Sequence, residues 1–246
     1  MPLIILGLSL LMGLSFLVGF YLSKKVKGKK MSYFSIALAF VIFVAVILCD
    51  IVPEICELTT MYTHIWIVIC GLTIGIDLLL LLDLFIPHHD HDHIHNDDAK
   101  ADHKKHLYHI ALLTFISILI HNVFEGIAYY TIAKSSIKTA LAVSGGIALH
   151  NIPLGIEMSC LFSSKENKSL KKILLLVLSG TIGAIIGLFI GNISSVINLV
   201  ILSITCGMML YTGLYELGIE TYKDRKEKGI IEGLLVGAII FVLMIM

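Results

Sequence analysis

Two heptapeptides in the middle of the chain carry residue types that bind transition metals: His121-Asn122-Val123-Phe124-Glu125-Gly126-Ile127 and His150-Asn151-Ile152-Pro153-Leu154-Gly155-Ile156. Both read His-Asn-x-x-x-Gly-Ile, 29 residues apart. Imidazole and carboxylate are good ligands for Zn²⁺ and related first-row dications, and an amide oxygen can complete such a shell. On a helix His121 and Glu125 are i and i+4 and share a face, with Asn122 beside them. His150 and Glu157 are i and i+7, two turns apart on one face, with Asn151 alongside. The five cysteines (Cys49, Cys56, Cys70, Cys160 and Cys206) form no CxxC pair, so neither a thiolate cage nor a disulfide framework is expected. Weaker, exchangeable ligation suits an ion that must bind and then leave.

Both motifs are embedded in apolar sequence. The chain is 57% hydrophobic and 15% charged, against about 25% charged in a soluble domain, and its mean hydropathy is +0.94. Eight apolar segments fall at roughly 2–23, 31–53, 65–87, 107–133, 138–162, 173–191, 195–222 and 229–246. Each is long enough for a hydrocarbon core about 30 Å thick. Backbone groups in lipid must pair within the segment, which makes helices the default. A barrel would need short alternating strands, and these runs do not alternate. The expected fold is an all-α polytopic membrane protein with eight transmembrane helices in one domain, 1–246. Residues 1–23 lack a basic n-region and an evident cleavage site, so they read as a first span rather than a removable signal.

Charge supports the even count. Alternate connections, at 24–30, 100–105, 165–172 and 223–228, hold 16 of the 18 Lys and Arg residues. By the positive-inside rule these face the cytosol, leaving both termini outside. The connection at 134–137 makes segments four and five an antiparallel hairpin. His121 stands 13 residues before it and His150 13 after, so each lies about 20 Å from it, near mid-membrane. Two histidines at one depth on adjacent helices can serve one cavity. Ionisable groups there are costly to keep, by about 2.5 kcal/mol or more at the centre of a span, and are functional candidates by default. Alternatively such groups only pair helices. The matched motifs, with Glu125 between them, favour the metal reading.

Other positions carry weaker signals. The connection after segment three opens with His88, His89, His91, His93 and His95, interleaved with Asp90 and Asp92, and the stretch to His109 holds eight of the eleven histidines. A cytosolic loop at about 88–106 with weak, exchangeable metal ligands is expected, partly disordered. Asp50, Glu54 and Glu57, at the outer end of segment two, could gather cations. Asp77 and Asp83 in segment three, with Glu216 and Glu220 in segment seven, could form an exit path toward the loop. Each of these equally suits helix pairing or snorkelling. Pro153, deep in segment five, deprives the Leu149 carbonyl of its helical donor and could turn it toward a cation. Gly180, Gly183, Gly187 and Gly191 read as close helix packing.

Taken together, these residues resemble the ZIP (Zrt/Irt-like) family of metal transporters over nearly the whole chain. The specific signals are His121-Asn122-x-x-Glu125-Gly126 and His150-Asn151-x-Pro153-x-Gly155. Asp50-Ile51-Val52-Pro53-Glu54 and Tyr215-Glu216-Leu217 resemble the family's second- and seventh-span motifs. The resemblance implies inverted repeats with helices four and five central, a rocking or elevator movement, and a transport site of His121, Asn122, Glu125, His150 and Asn151. It implies import of Zn²⁺, Fe²⁺, Mn²⁺ or a similar ion. Two positions depart from the family: Leu154 and Gly180 stand where it commonly has glutamates of a second metal position. One metal position is therefore expected, with Glu157 as a partial substitute one turn on.

The expected function is a secondary importer of divalent cations in the plasma membrane, with metal ions and lipid as partners, a homodimer admitted, and no required cofactor. A dication entering through about 100 mV gains about 4.6 kcal/mol, and no GxxxxGK[ST] signature suggests ATP-driven pumping. Zero net charge offers nothing to nucleic acid. A membrane metal sensor that keeps the fold without transport is the alternative. An intramembrane metalloprotease would typically need a His-Glu-x-x-His helix, which is absent.

Overall fold

A computed structural model describes residues 2–24, 29–59, 65–85, 96–162, 166–191 and 194–245. Helix is the only regular secondary structure among them. The first helices are α1 (Pro2–Lys24), α2 (Lys29–Val46, a π-helical stretch Ile47–Ile51, then Val52–Leu58) and α3 (Ile65–Phe85). The central pair is α4 (Asn96–Ser135) and α5 (Ile137–Leu161). Then come α6 (Glu166–Ile190), α7 (Ser195–Leu210, a π-helical stretch Tyr211–Gly218, then Ile219–Lys223) and α8 (Lys228–Ile245). Six of these, all but α5 and α8, contain a stretch long and apolar enough to cross a bilayer. The chain is an integral, polytopic helical membrane protein.

Two boundaries differ from the sequence-based expectation. Helix α2 does not stop at Pro53 but runs on to Leu58. The π-helical stretch immediately before Pro53 rearranges the hydrogen-bond ladder at the turn where proline lacks a donor, and the Val52 N–H bonds the Ile47 carbonyl across it. Helix α4 begins at Asn96, so 96–106, expected as loop, is helical. Asp97 and Asp98 fall in its first turn, where the helix dipole favours negative charge. Residues 86–95, with His88, His89, His91, His93 and His95, lie outside the described residues.

Helix pairs form at glycines, as expected where lipid supplies no hydrophobic drive and backbones must approach closely. A Cβ on Gly126 of α4 would fall 2.0 Å from the Gly180 carbonyl oxygen of α6, and one on Gly183 2.0 Å from that of Val123. Helices α1 and α5 meet the same way through Gly19 against Ile152 and Gly155 against Phe16. Helix α3 packs on α7 at Gly75 and Gly207, and α8 packs on α2. Gly191 is different: it ends α6 at φ 76°, a left-handed position suited to glycine.

The packing has an internal order. Exchanging α1 with α6, α2 with α7, α3 with α8 and α4 with α5 turns the α1–α5 pair into α6–α4 and the α2–α8 pair into α7–α3. The α4–α5 and α1–α6 pairs map onto themselves. Both π-helical stretches fall on exchanged helices, α2 and α7. The largest apolar core includes Phe16 of α1, Phe43 and Ile47 of α2, Leu154 and Met158 of α5, Leu176 of α6 and Leu217 of α7. Trp66, Leu84, Phe189 and Leu235 remain exposed on the outer surface, as side chains facing lipid should.

Candidate metal centre

Helices α4 and α5 present His121, Glu125 and His150 to one another at the centre of the bundle. One ligand atom from each lies within 4.8 Å of the others. Glu125 stands between the imidazoles: its Oε1 is 3.8 Å from His121 Nε2 and 3.5 Å from His150 Nε2. The ring centroids are 6.2 Å apart. These separations are too long for good hydrogen bonds. They are close to the spacing of two ligands on one tetrahedral ion, about 3.4 Å for bonds of about 2.1 Å.

Burial sharpens this reading. His121 and His150 are 6% and 1% exposed, and His121 Nε2 and both His150 ring nitrogens make no hydrogen bond. Buried polar atoms normally find partners, and those that do not call for an explanation. Convergence answers it for two of them: a dication held with Glu125 Oε1 would satisfy His121 Nε2 and His150 Nε2 together.

A further carboxylate approaches His150 from α2, outside the trio. Asp50 Oδ2 lies 3.6 Å from His150 Nδ1, and the Asp50 side chain is about half exposed, so it links the centre to the surface. The π-helical stretch carries Asp50. Such stretches are frequent at functional sites. Glu54, one turn on, accepts a hydrogen bond from Asn198 Nδ2 at 3.2 Å, while Glu57 is exposed. Replacing Asp50 by Asn is expected to weaken zinc binding about threefold, the size of a partly exposed charge interaction. A zinc titration of the purified protein checks this, and an unchanged affinity would separate Asp50 from the centre.

Asn122 and Asn151 are buried on the other side of Glu125. With Glu125 they line a cavity of about 10 Å³, closed by Met12 and Gly13 of α1 and by Leu176 and Gly180 of α6. That is room for about one water-sized probe. Asn151 Nδ2 donates at the limit of hydrogen bonding, 3.5 Å, to the Met12 carbonyl, whereas neither side-chain polar atom of Asn122 has a partner. Leu154 is buried in the apolar core. Neither Leu154 nor Gly180 brings a carboxylate to this cavity.

A second cluster lies at the other end of α4. Asp83 of α3, His109 of α4 and Glu216 of α7 place one ligand atom each within 4.8 Å of one another, and His109 Nε2 is in direct contact with Asp83 Oδ1. With Tyr215, Glu220 and Lys223 they line a cavity of about 180 Å³. His109 is twelve residues before His121, so the clusters stand about 18 Å apart along α4. The sequence pointed to Asp83 and Glu216 but counted His109 only among the loop histidines. Its seat in an apolar run, at Leu107-Tyr108-His109-Ile110-Ala111, is the signal that separates it from them. Asp77 is exposed on α3 and belongs to neither cluster, and Glu157 is fully buried apart from both.

Comparison with known proteins agrees with this chemistry. A family model described as ZIP zinc transporter matches residues 87–245, a span that includes both histidine motifs. The zinc transporter ZupT of Clostridium perfringens is 28% identical over 197 residues, which covers 71% of this chain and 69% of that protein. The protein zntD of Dictyostelium discoideum is 30% identical over 139 residues, 52% of this chain and 20% of that longer protein.

Proposed function

Because the chain belongs to the ZIP zinc transporter family, and is thus a membrane metal transporter rather than an enzyme, we propose that it imports divalent cations into the cytosol through His121, Asn122, Glu125, His150 and Asn151. The observation that carries this reading is the trio of buried His121 and His150 with the partly exposed Glu125, whose ligand atoms converge within 4.8 Å. Zn²⁺ is the first cargo: two imidazoles and a carboxylate suit it, and a relative bears zinc in its name. Fe²⁺ and Mn²⁺ are accepted by similar ligand sets.

The orientation rests on the lysine and arginine bias: eight spans, both termini outside, in the plasma membrane. In that frame Asp50, Glu54 and Glu57 collect ions outside, the trio holds one at mid-membrane, and Asp83, His109 and Glu216 receive it near the cytosol. The pairwise exchange of helix contacts supports an inverted repeat, whose halves can rock about α4 and α5. One ion occupies the central position, since Leu154 and Gly180 supply no further carboxylate. Entry down the membrane potential requires no nucleotide.

Uptake of zinc into proteoliposomes, set against zinc binding by the same preparation, tests the proposal. Flux that saturates with external zinc is the expected result. Binding without flux would make the protein a membrane metal sensor instead. Removing 88–95 is expected to leave uptake in place but to change its affinity or regulation. Complete loss of uptake in that variant would show that the loop histidines belong to the path itself.

A further inference from the structure

Helix α3 is the least covered span of the bundle. One side of it, with Gly71 and Gly75, lies against Ser203, Ile204 and Met208 of α7. Only 17% of its apolar stretch is buried, against 39% to 61% in the other five apolar spans. Along the opposite side run Trp66, Cys70, Thr73, Asp77, Leu80 and Leu84, all exposed. They follow one another at steps of four, three, four, three and four residues. That is the 3.5-residue repeat of a seam along which a second helix packs.

Lipid does not suit this stripe. Asp77 follows Ile65 by twelve residues and precedes Phe85 by eight, so it stands about 12 Å or more inside each end of α3. Its short side chain cannot snorkel that far. A carboxyl turned toward hydrocarbon at such a depth is costly, and ionisable groups in spans almost always face protein or water. Asp77 has no ion-pair partner among the described residues, and α3 contains no Lys, Arg or His that could supply one.

We propose that a second copy of the chain covers this face, with the two α3 helices packed side by side along the seam from Trp66 to Leu84. Copies inserted in one orientation are related by a two-fold axis along the membrane normal, which makes the helix pair parallel and sets each seam residue at the depth of its own counterpart. The two Asp77 carboxyls then meet inside the interface. One proton held between them relieves their repulsion and makes a hydrogen-bonded pair of two groups that lipid cannot satisfy. Thr73 and Cys70, one and two turns before Asp77, are small enough to let the backbones approach. A foreign partner would need a donor at the same depth, whereas a second copy brings its own. The trio lies on α4 and α5, so each copy keeps a complete metal centre.

The test uses the full chain in lipid vesicles. A variant that keeps only Cys70, with Cys49→Ala, Cys56→Ala, Cys160→Ala and Cys206→Ala, should form a disulfide-linked dimer on mild oxidation with copper phenanthroline. One that keeps only Cys56, exposed on α2, should not. With the natural cysteines in place and a fluorescent tag at the C terminus, single-molecule photobleaching at falling protein-to-lipid ratios reads the association directly. Asp77→Leu should need about a tenfold higher density to pair, the size of one good interhelical hydrogen bond in a membrane. Asp77→Asn keeps hydrogen-bonding groups at that depth and should pair nearly as wild type does. Asp77→Leu should still fold and bind zinc normally, since it loses only an outward carboxyl. Equal association of Asp77→Leu and wild type would overturn the proposal, as would a folded Cys70-only chain that stays single on oxidation. Wild-type chains that are single at every density would mean that lipid alone covers α3, which overturns it too. Loss of zinc binding in Asp77→Leu with pairing intact would assign the carboxyl to the metal instead. If the cysteine variants fail to fold, the comparison of Asp77→Leu with Asp77→Asn decides the matter.

Discussion

Zinc uptake in the His121→Ala and Glu125→Ala variants should fall at least about 100-fold, the upper range for perturbing even the outer shell of a metal site, while both proteins still insert and fold. The two substitutions fail for different reasons. His121 supplies one imidazole at 3.8 Å from the shared carboxylate; without it, His150 and Glu125 are left as an incomplete shell. Glu125 is the only carboxylate in the trio and contacts both histidines through a single oxygen. Its loss removes the negative charge that offsets a dication in a site shielded from water. Folding should survive, because neither imidazole ring of the trio is tied into the bundle by a hydrogen bond at the atoms facing the centre. Glu125→Gln keeps the shape and removes the charge, so it should lose nearly as much flux as Glu125→Ala. Uptake of radioactive zinc alongside thermal melting separates transport from folding. Normal flux in both alanine variants would refute the assignment of the centre.

Gly126→Ala should be among the most damaging conservative changes in the chain, and Gly180→Ala, on the helix facing it, should be nearly silent. The new Cβ at 126 would stand 2.0 Å from the Gly180 carbonyl oxygen and 3.0 Å from the Ala184 nitrogen. Both obstacles are backbone, so α4 and α6 must part. Overpacking a tight contact costs about 1–3 kcal/mol, and a clash of backbone with backbone belongs at the upper end. A Cβ at 180 meets only the Asn122 carbonyl oxygen, at 3.8 Å, an ordinary contact, and its cost should stay within about 0.5 kcal/mol. Gly126 is also the neighbour of Glu125, so parting the helices displaces the carboxylate from between the histidines, and transport should fall with stability. Melting of the two variants in detergent checks the contrast. Equal melting temperatures would show that α4 and α6 are not held at the distance described.

Much of the centre is legible in the sequence. The repeated His-Asn motif, the short hairpin connection and the helical rise together place two imidazoles at one depth, and i,i+4 spacing adds Glu125 to the same face. Of the four glycines in α6 expected to mark close packing, Gly183 and Gly187 do so against α4, whereas a Cβ on Gly180 would meet only an ordinary contact at 3.8 Å and one on Gly191 nothing within 4 Å. Local periodicity was sufficient for the trio, because its members lie on one hairpin. It misled where helices extend across expected breaks. Pro53 looked like an end, yet the π-helical stretch carries α2 past it. Charged residues at 96–106 looked like loop, yet acidic residues at a helix N-terminus favour the turn they begin.

What the sequence determined by itself was therefore the material: apolar spans, the chemistry of the ligands, and the pairing of α4 with α5. Which more distant side chains join them was decided only by tertiary structure. Asp50 meets His150 across 100 positions of sequence, and Glu216 meets His109 across 107. No periodicity spans such intervals. Helices α2 and α7 meet each other where Gly213 and Gly218 of α7 lie against Phe43 and Phe40 of α2, and each carries its cluster residue, Asp50 or Glu216, on its π-helical stretch. The same packing leaves Thr114, Ser117 and Glu157 without partners, although nothing in their local sequence distinguishes them from residues whose hydrogen bonds are made. His121 and His150 could be named from their motif, but the carboxylates that meet them, and the second cluster at Asp83, His109 and Glu216, come together only in the folded bundle.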